Sequence, residues 1–126
     1  VLQKIRQAVP EALLAADMEE AEDRIDEIVG CDGSMASSVG AALGFFLAAD
    51  GDPMKVIVSA ANAGGDSDTI ACIGGSIAGA LKGAQAFDQM LVSKWKKANP
   101  RLDLESMAKQ LTEIAEKNYN KPTAVL

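Results

Sequence analysis

The chain has 126 residues, enough for one domain with a real core and too few for two. Its net charge is -6 and no block of Lys or Arg stands out, which argues against nucleic acid or an anionic membrane surface as a partner. It contains no histidine, so His-based triads, His-ligated zinc and imidazole acid/base catalysis are excluded.

Taken in chain order, every segment reads as helix with turns between. Residues 1–8 are amphipathic, with Val1, Leu2 and Ile5 as apolar positions that continue at Val9, and Pro10 is expected to interrupt the helix or restart one. Asp17 stands three residues before Glu20, the spacing of a capping box. Met18, Ala21, Ile25, Ile28 and Val29 follow at helical steps, and Gly30 closes the run. The opposite face carries Glu19, Glu22, Asp23 and Asp26 and reads as a solvated surface. Residues 31–34 are a loop. Residues 35–49 are apolar all round, with Gly40 and Gly44 one turn apart, as in a helix at the centre of a bundle. Asp50-Gly51-Asp52-Pro53 is a turn that ends in an N-cap Asp52 and an N1 proline, launching a helix to about residue 61.

Beyond the segment 62–71, residues 70–81 are again apolar, and Gly74, Gly75 and Gly79 would let neighbouring backbones approach. Gly83 is a stop. Residues 87–98 form an amphipathic helix with Trp95 and a Lys94/Lys96/Lys97 cluster near its C-terminal end, where cations suit the helix dipole. Asn99-Pro100 breaks it, and Asp103 caps a last helix whose stripe of Leu104, Met107, Ala108, Leu111, Ile114 and Ala115 is expected to be buried. The tail from Asn118 is expected to fray. Phe45, Phe46, Phe87, Trp95 and Tyr119 are read as core or helix-packing residues. The fold class is all-α, in a single domain over residues 1–126.

Cys31 and Cys72 lie far apart in no CxxC pattern and are expected to be buried thiols in a reducing compartment. Lys4, Arg6 and Glu11 break up any signal-peptide core, and the uncharged run 33–49 is short of the roughly 20 apolar residues of a membrane span. A soluble cytoplasmic protein is the expectation, with no membrane partner. The absence of an initiator Met before Val1 suggests one part of a longer protein.

The chemistry concentrates in NAGGDSDTIA, residues 62–71. Asp66, Ser67, Asp68 and Thr69 set four oxygen-bearing side chains in succession where two helices meet. One reading is capping, in which Asp66 or Ser67 accepts N–H bonds from the first turn. The other is a hard cation, since two alternating carboxylates and a hydroxyl suit Mg²⁺, Mn²⁺ or Ca²⁺. The apolar flanks and the absence of a neighbouring Arg or Lys (Lys55 and Lys82 are the nearest in sequence) favour the metal. Gly64 and Gly65 give the loop the freedom to lie against a ligand. Three ligands cannot complete a six-coordinate ion; Asp32, Asp50 and Asp52 sit in turns where capping accounts for them.

NAGGDSDTIACIGGSIAGALKG, residues 62–83, resembles the C-terminal signature of the ADP-ribosylglycohydrolase family, which includes the dinitrogenase reductase-activating glycohydrolases. The carrying elements are GGDSDTIA and then GSIAGALKG, and the likeness extends over most of the chain from about Gly33. The resemblance implies an orthogonally packed bundle of about six to seven helices with a binuclear Mg²⁺ or Mn²⁺ centre. It implies hydrolysis of the glycosidic bond between ADP-ribose and a protein side chain or small acceptor. By that likeness Asp66, Asp68 and Thr69 would ligate metal, and Gly64, Gly65 and Ser67 would line the substrate. No residue of this chain takes a general acid or base role.

The family's second acidic cluster, a T-D-D-like motif from its N-terminal half, does not occur here; Asp17-Met18-Glu19-Glu20 comes nearest, and capping explains it. The chain therefore reads as half of a metal site, from a C-terminal portion of the enzyme or a degenerate relative, and little or no activity is expected of it alone. The alternative is a non-catalytic helical module that binds ADP-ribose or pairs with a partner chain. Exposure of the apolar helix 35–49 would favour a homo-oligomer or pairing with a missing N-terminal half.

Overall fold

The structure is a computed structural model that describes residues 1–119. Its helices are α1 (Leu2–Leu14), α2 (Met18–Ile28), α3 (Met35–Ala48), α4 (Pro53–Asn62), α5 (Ser67–Lys82), α6 (Gln89–Ala98) and α7 (Leu104–Tyr119), with a 3-10 turn at Ala84–Ala86. No strand occurs among the described residues, so the fold is all-α. The chain divides into two compact units, Val1–Gln89 and Met90–Leu126.

In the first unit α3 is the central helix, packed against α1, α2, α4 and α5. Its small residues set how closely the others come. A Cβ on Gly40 would stand 2.8 Å from Lys4 Cβ of α1, and one on Gly44 would stand 2.9 Å from Ile25 Cδ1 of α2. On α5, Gly74 faces Val56 and the Ala42 carbonyl, while Gly75 faces Ile57. Phe45, Ile25, Ile70 and Val56 are fully buried around this seam. Each such side chain contributes about 1.5–3 kcal/mol by leaving water. Neighbours cover most of α3, so much of its apolar surface is core, while Met35 and Leu47 stay exposed at its two ends.

The helix ends follow local chemistry. The Glu20 N–H donates to Asp17 Oδ1 at 2.9 Å, and Glu20 Oε2 accepts from the Ala16 N–H, one residue before the cap. Asp52 accepts from the Met54 and Lys55 N–H groups ahead of α4, with Pro53 at its first position. Gly30 and Gly83 end α2 and α5. Arg24 bridges Glu20 and Glu11, tying α2 to α1.

Pro10 departs from expectation. It sits inside α1, which runs unbroken from Leu2 to Leu14. Proline inside a helix costs about 3 kcal/mol by removing one hydrogen bond and crowding the carbonyl four residues back. Here that residue is Arg6, exposed like Pro10, while Ala8 and Ala12 are buried on the inner face. Packing of that inner face keeps the helix continuous.

In the second unit, Asp103 Oδ1 accepts from the Ser106 N–H as the cap of α7, and Lys96 pairs with Glu105. The stripe on α7 is not buried: Leu104, Met107, Leu111 and Ile114 are about half exposed or more. Periodicity assigns residues to one face of a helix, but it does not supply a second face opposite. Trp95 and Tyr119 are exposed for the same reason, whereas Phe45 is core and Phe46 and Phe87 are half-buried. Of the tail from Asn118, residues 120–126 lie outside the described residues. No helix among the described residues is long and apolar enough to cross a membrane.

Candidate functional site

The loop from α4 to α5 turns back on itself through Gly64 (φ 73) and Gly65 (φ 55), both in the left-handed region that glycine enters at little cost. The two glycines differ in surroundings. A Cβ on Gly64 would meet nothing within 4 Å, whereas one on Gly65 would overlap the Cys31 carbonyl oxygen. The chain needs that contact, because the next N–H, of Asp66, donates to the same Cys31 oxygen at 2.9 Å. The GGD loop is thereby latched onto the loop between α2 and α3.

Asp66 occupies the N-cap position of α5, yet its side chain accepts no N–H from the first turn. Capping by Asp would contribute about 1 kcal/mol. Its carboxylate is used otherwise: Oδ2 accepts from Ser38 Oγ of α3 at 2.9 Å, and Oδ1 accepts from Thr69 Oγ1 at 2.8 Å. The capping reading of Asp66 therefore fails. Asp68 lies exposed in the first turn of α5, and neither acid joins an ion pair among the described residues. Ser67 opens the helix, half-buried, and Gly64, Gly65 and Thr69 are exposed.

The structure thus brings Asp66 and Thr69 together directly and places Asp68 one residue before Thr69 on the same turn. It adds Ser38, which sequence reading passed over. The available signal was chemical: Ser37 and Ser38 are hydroxyls inside an otherwise apolar helix, and buried hydroxyls require partners. Both are buried, and Ser37 donates to Asp32 as Ser38 does to Asp66. Ser34 is the cap of α3, while Asp32, which also accepts from the Ser34 N–H, is a turn residue as its position suggested. The Ser37 hydroxyl, then the Ser34 N–H and hydroxyl, hold its carboxyl down at about 2.

Cys31 is buried, and its thiol is pushed up to about 11, first by burial and then by Asp26 and Asp32. It is an inert proton-bearing thiol at neutral pH. Cys72, expected to be buried as well, is exposed on α5; its position in an apolar run did not fix its face.

The donor set fits a hard cation in kind. It consists of oxygen atoms only, with two carboxylates that no basic side chain pairs among the described residues. A hydroxyl that offers a lone pair to a cation has to send its proton elsewhere, and Thr69 already sends its proton to Asp66. The set is incomplete in number: among the described residues no three acidic or thiol groups gather to hold an ion. Asp66 and Thr69 are hydrogen-bonded, and Asp68 lies between them on the same turn of α5.

The sequence model for ADP-ribosylglycohydrolase matches residues 1–121. The chain belongs to the ADP-ribosylglycohydrolase family. The match begins at Val1, so α1 and α2 are part of the family's sequence as well as the region after Gly33. The chain is also 35% identical over 95 residues to the uncharacterized protein YegU of Escherichia coli (strain K12), covering 75% of this chain and 28% of that one. It therefore spans little more than a quarter of that relative's length. No solved structure matches significantly.

Proposed function

We propose that this chain forms the Asp-x-Asp-Thr wall of the active site in an ADP-ribosylglycohydrolase, an enzyme that hydrolyses the bond joining ADP-ribose to an acceptor. Asp66, Asp68 and Thr69 are its ligands for Mg²⁺ or Mn²⁺, two ions in the complete site, and the remaining ligands come from outside these residues. The observation that carries the reading is Asp66 itself. It stands at a helix N-cap, caps nothing, and is instead oriented by two neutral hydroxyls that leave its charge uncancelled.

When bound, the ions would supply Lewis acidity and a template for water and the ribose hydroxyls. The chain's own contribution is positional. The latch from Asp66 N–H to the Cys31 carbonyl fixes the loop, and α5 carries Asp68 and Thr69 on its first turn. The dipole of α5 favours negative charge at this end by about 0.3–1 kcal/mol per group. Gly64, whose Cα faces open space, leaves room for the ribose, and Ser67 borders it. In the hydrolysis the bond from the anomeric carbon to the acceptor breaks, the hydroxyl of water ends on that carbon and the other hydrogen of water on the released acceptor.

The test is Mn²⁺ binding, followed by loss of the free-ion paramagnetic resonance signal, in the chain and in its Asp66→Asn and Asp68→Asn variants. Each substitution is expected to weaken binding at least about tenfold. Isotherms that coincide with that of the unaltered chain refute the assignment. Turnover of an ADP-ribosylated peptide by the chain alone, at an ordinary enzymatic rate, would refute the one-wall reading instead.

A further inference from the structure

We infer that Ser38 is a positioning residue for Asp66, holding its carboxylate off the end of α5 and ready for a cation. The inference rests on the proposed ligand role of Asp66. Ser38 lies 28 residues earlier, on the central helix α3, and is only 2% exposed. Its Oγ donates to Asp66 Oδ2 at 2.9 Å.

The two hydroxyls on Asp66 are not equivalent. Thr69 belongs to the same helical turn as Asp66 and moves with it. Ser38 is anchored in the core, so its bond ties the carboxylate to a different element. The backbone latch to Cys31 fixes where Asp66 begins, and Ser38 fixes which way its side chain turns. Without that bond, the first-turn N–H groups of α5 compete for the carboxylate, as they do at most Asp N-caps. A neutral donor also leaves the charge in place. An ionised carboxylate offers about four acceptor sites, of which two are taken here. Losing a hydrogen bond that orients a metal ligand typically costs about 10–100-fold in affinity.

The experiment compares the unaltered chain with Ser38→Ala, Ser38→Thr, Ser59→Ala and Asp66→Asn. Ser59 is a buried serine on α4 and controls for the loss of a hydroxyl in the core. The readouts are Mn²⁺ affinity, melting temperature, and the ¹³C resonance of the Asp66 carboxylate recorded without metal. Ser38→Ala is expected to weaken Mn²⁺ binding about tenfold or more, and to move the Asp66 resonance. Ser38→Thr should recover more than half of that loss on a logarithmic scale, and Ser59→Ala should change neither affinity nor resonance. Two results overturn the inference while leaving the ligand role intact: Ser38→Ala binding like the unaltered chain while Asp66→Asn loses the ion, or Ser59→Ala losing affinity equally. If Asp66→Asn binds Mn²⁺ as well as the unaltered chain, the ligand role itself falls and the inference falls with it; if the unaltered chain, one wall of the site, takes up none, an Asp66 resonance that does not move in Ser38→Ala overturns the inference.

Discussion

Gly64 and Gly65 are adjacent, share a left-handed backbone and differ in one respect, which makes the pair Gly64→Ala and Gly65→Ala a sharp test of how the loop is held. Both substitutions place a Cβ on a residue with positive φ, at about 1–2 kcal/mol each. At Gly64 nothing lies within 4 Å, so that is the whole expected cost. At Gly65 the new atom overlaps the Cys31 oxygen and stands 2.8 Å from its carbonyl carbon, both of them backbone. No side chain can swing away, so the two loops have to separate. Separation breaks the Asp66 N–H bond to Cys31, worth about 1 kcal/mol, and adds strain of about 1–3 kcal/mol. Gly65→Ala should therefore lose about 2–4 kcal/mol more than Gly64→Ala. Urea unfolding followed by circular dichroism measures both. Equal losses would show that the latch does not hold the loop, and with it would go the account of why Asp66 sits where it does.

Three further outcomes follow from other parts of the chain. Iodoacetamide should label exposed Cys72 first and leave buried Cys31 unreacted until unfolding, because burial and then Asp26 push the Cys31 thiol up to about 11; parallel labelling by mass spectrometry would contradict this. Asp32 has its folded value lowered from 3.8 to about 2, chiefly by the Ser37 hydroxyl, so its contribution to stability is present above 3.8 and is lost as pH falls through about 2. The stability gap between the chain and Asp32→Asn should shrink across that window in acid titrations monitored by urea unfolding; a constant gap would refute it. Phe45→Ala should cost about 3–5 kcal/mol and Leu111→Ala less than about 1 kcal/mol, since Phe45 is fully buried and Leu111 is 65% exposed; comparable losses in thermal melts would mean that the α7 stripe is covered.

What was legible in the sequence was local. The Asp17–Glu20 pair, the Asp52-Pro53 start and the Gly30 and Gly83 stops each depend on atoms within a few residues, and each stands where the spacing placed it. The interior helix α3 was legible too, because a helix without a polar face has to be surrounded. Pro10 was misread because the cost of proline is local while the packing that offsets it comes from other helices. The α7 stripe was misread in the opposite direction, because amphipathicity marks a face without naming its cover. At the site, the acids and the threonine were visible as a run, but Ser38 was not, since its partner lies 28 residues away. Nor was the role of Gly65, whose neighbour is a backbone carbonyl and carries no side-chain signature at all.

The energetics of Asp66 explain why stability alone does not select its arrangement. A capping bond given up costs about 1 kcal/mol, and two hydroxyl bonds return about 1 kcal/mol each before the cost of holding them. The balance is small either way. What differs is the state of the charge. The one basic residue of α5 is Lys82 at its far end, about 24 Å away along a 16-residue helix, well beyond the roughly 8–10 Å over which salt leaves exposed charges able to interact. A lysine in place of Ser38 would bind the same carboxylate and cancel its charge. A serine orients one oxygen and cancels nothing. Neutral donors around Asp66 therefore let the chain fold while leaving a carboxylate that no ion pair among the described residues compensates, which is the charge that the proposed divalent cation would complete.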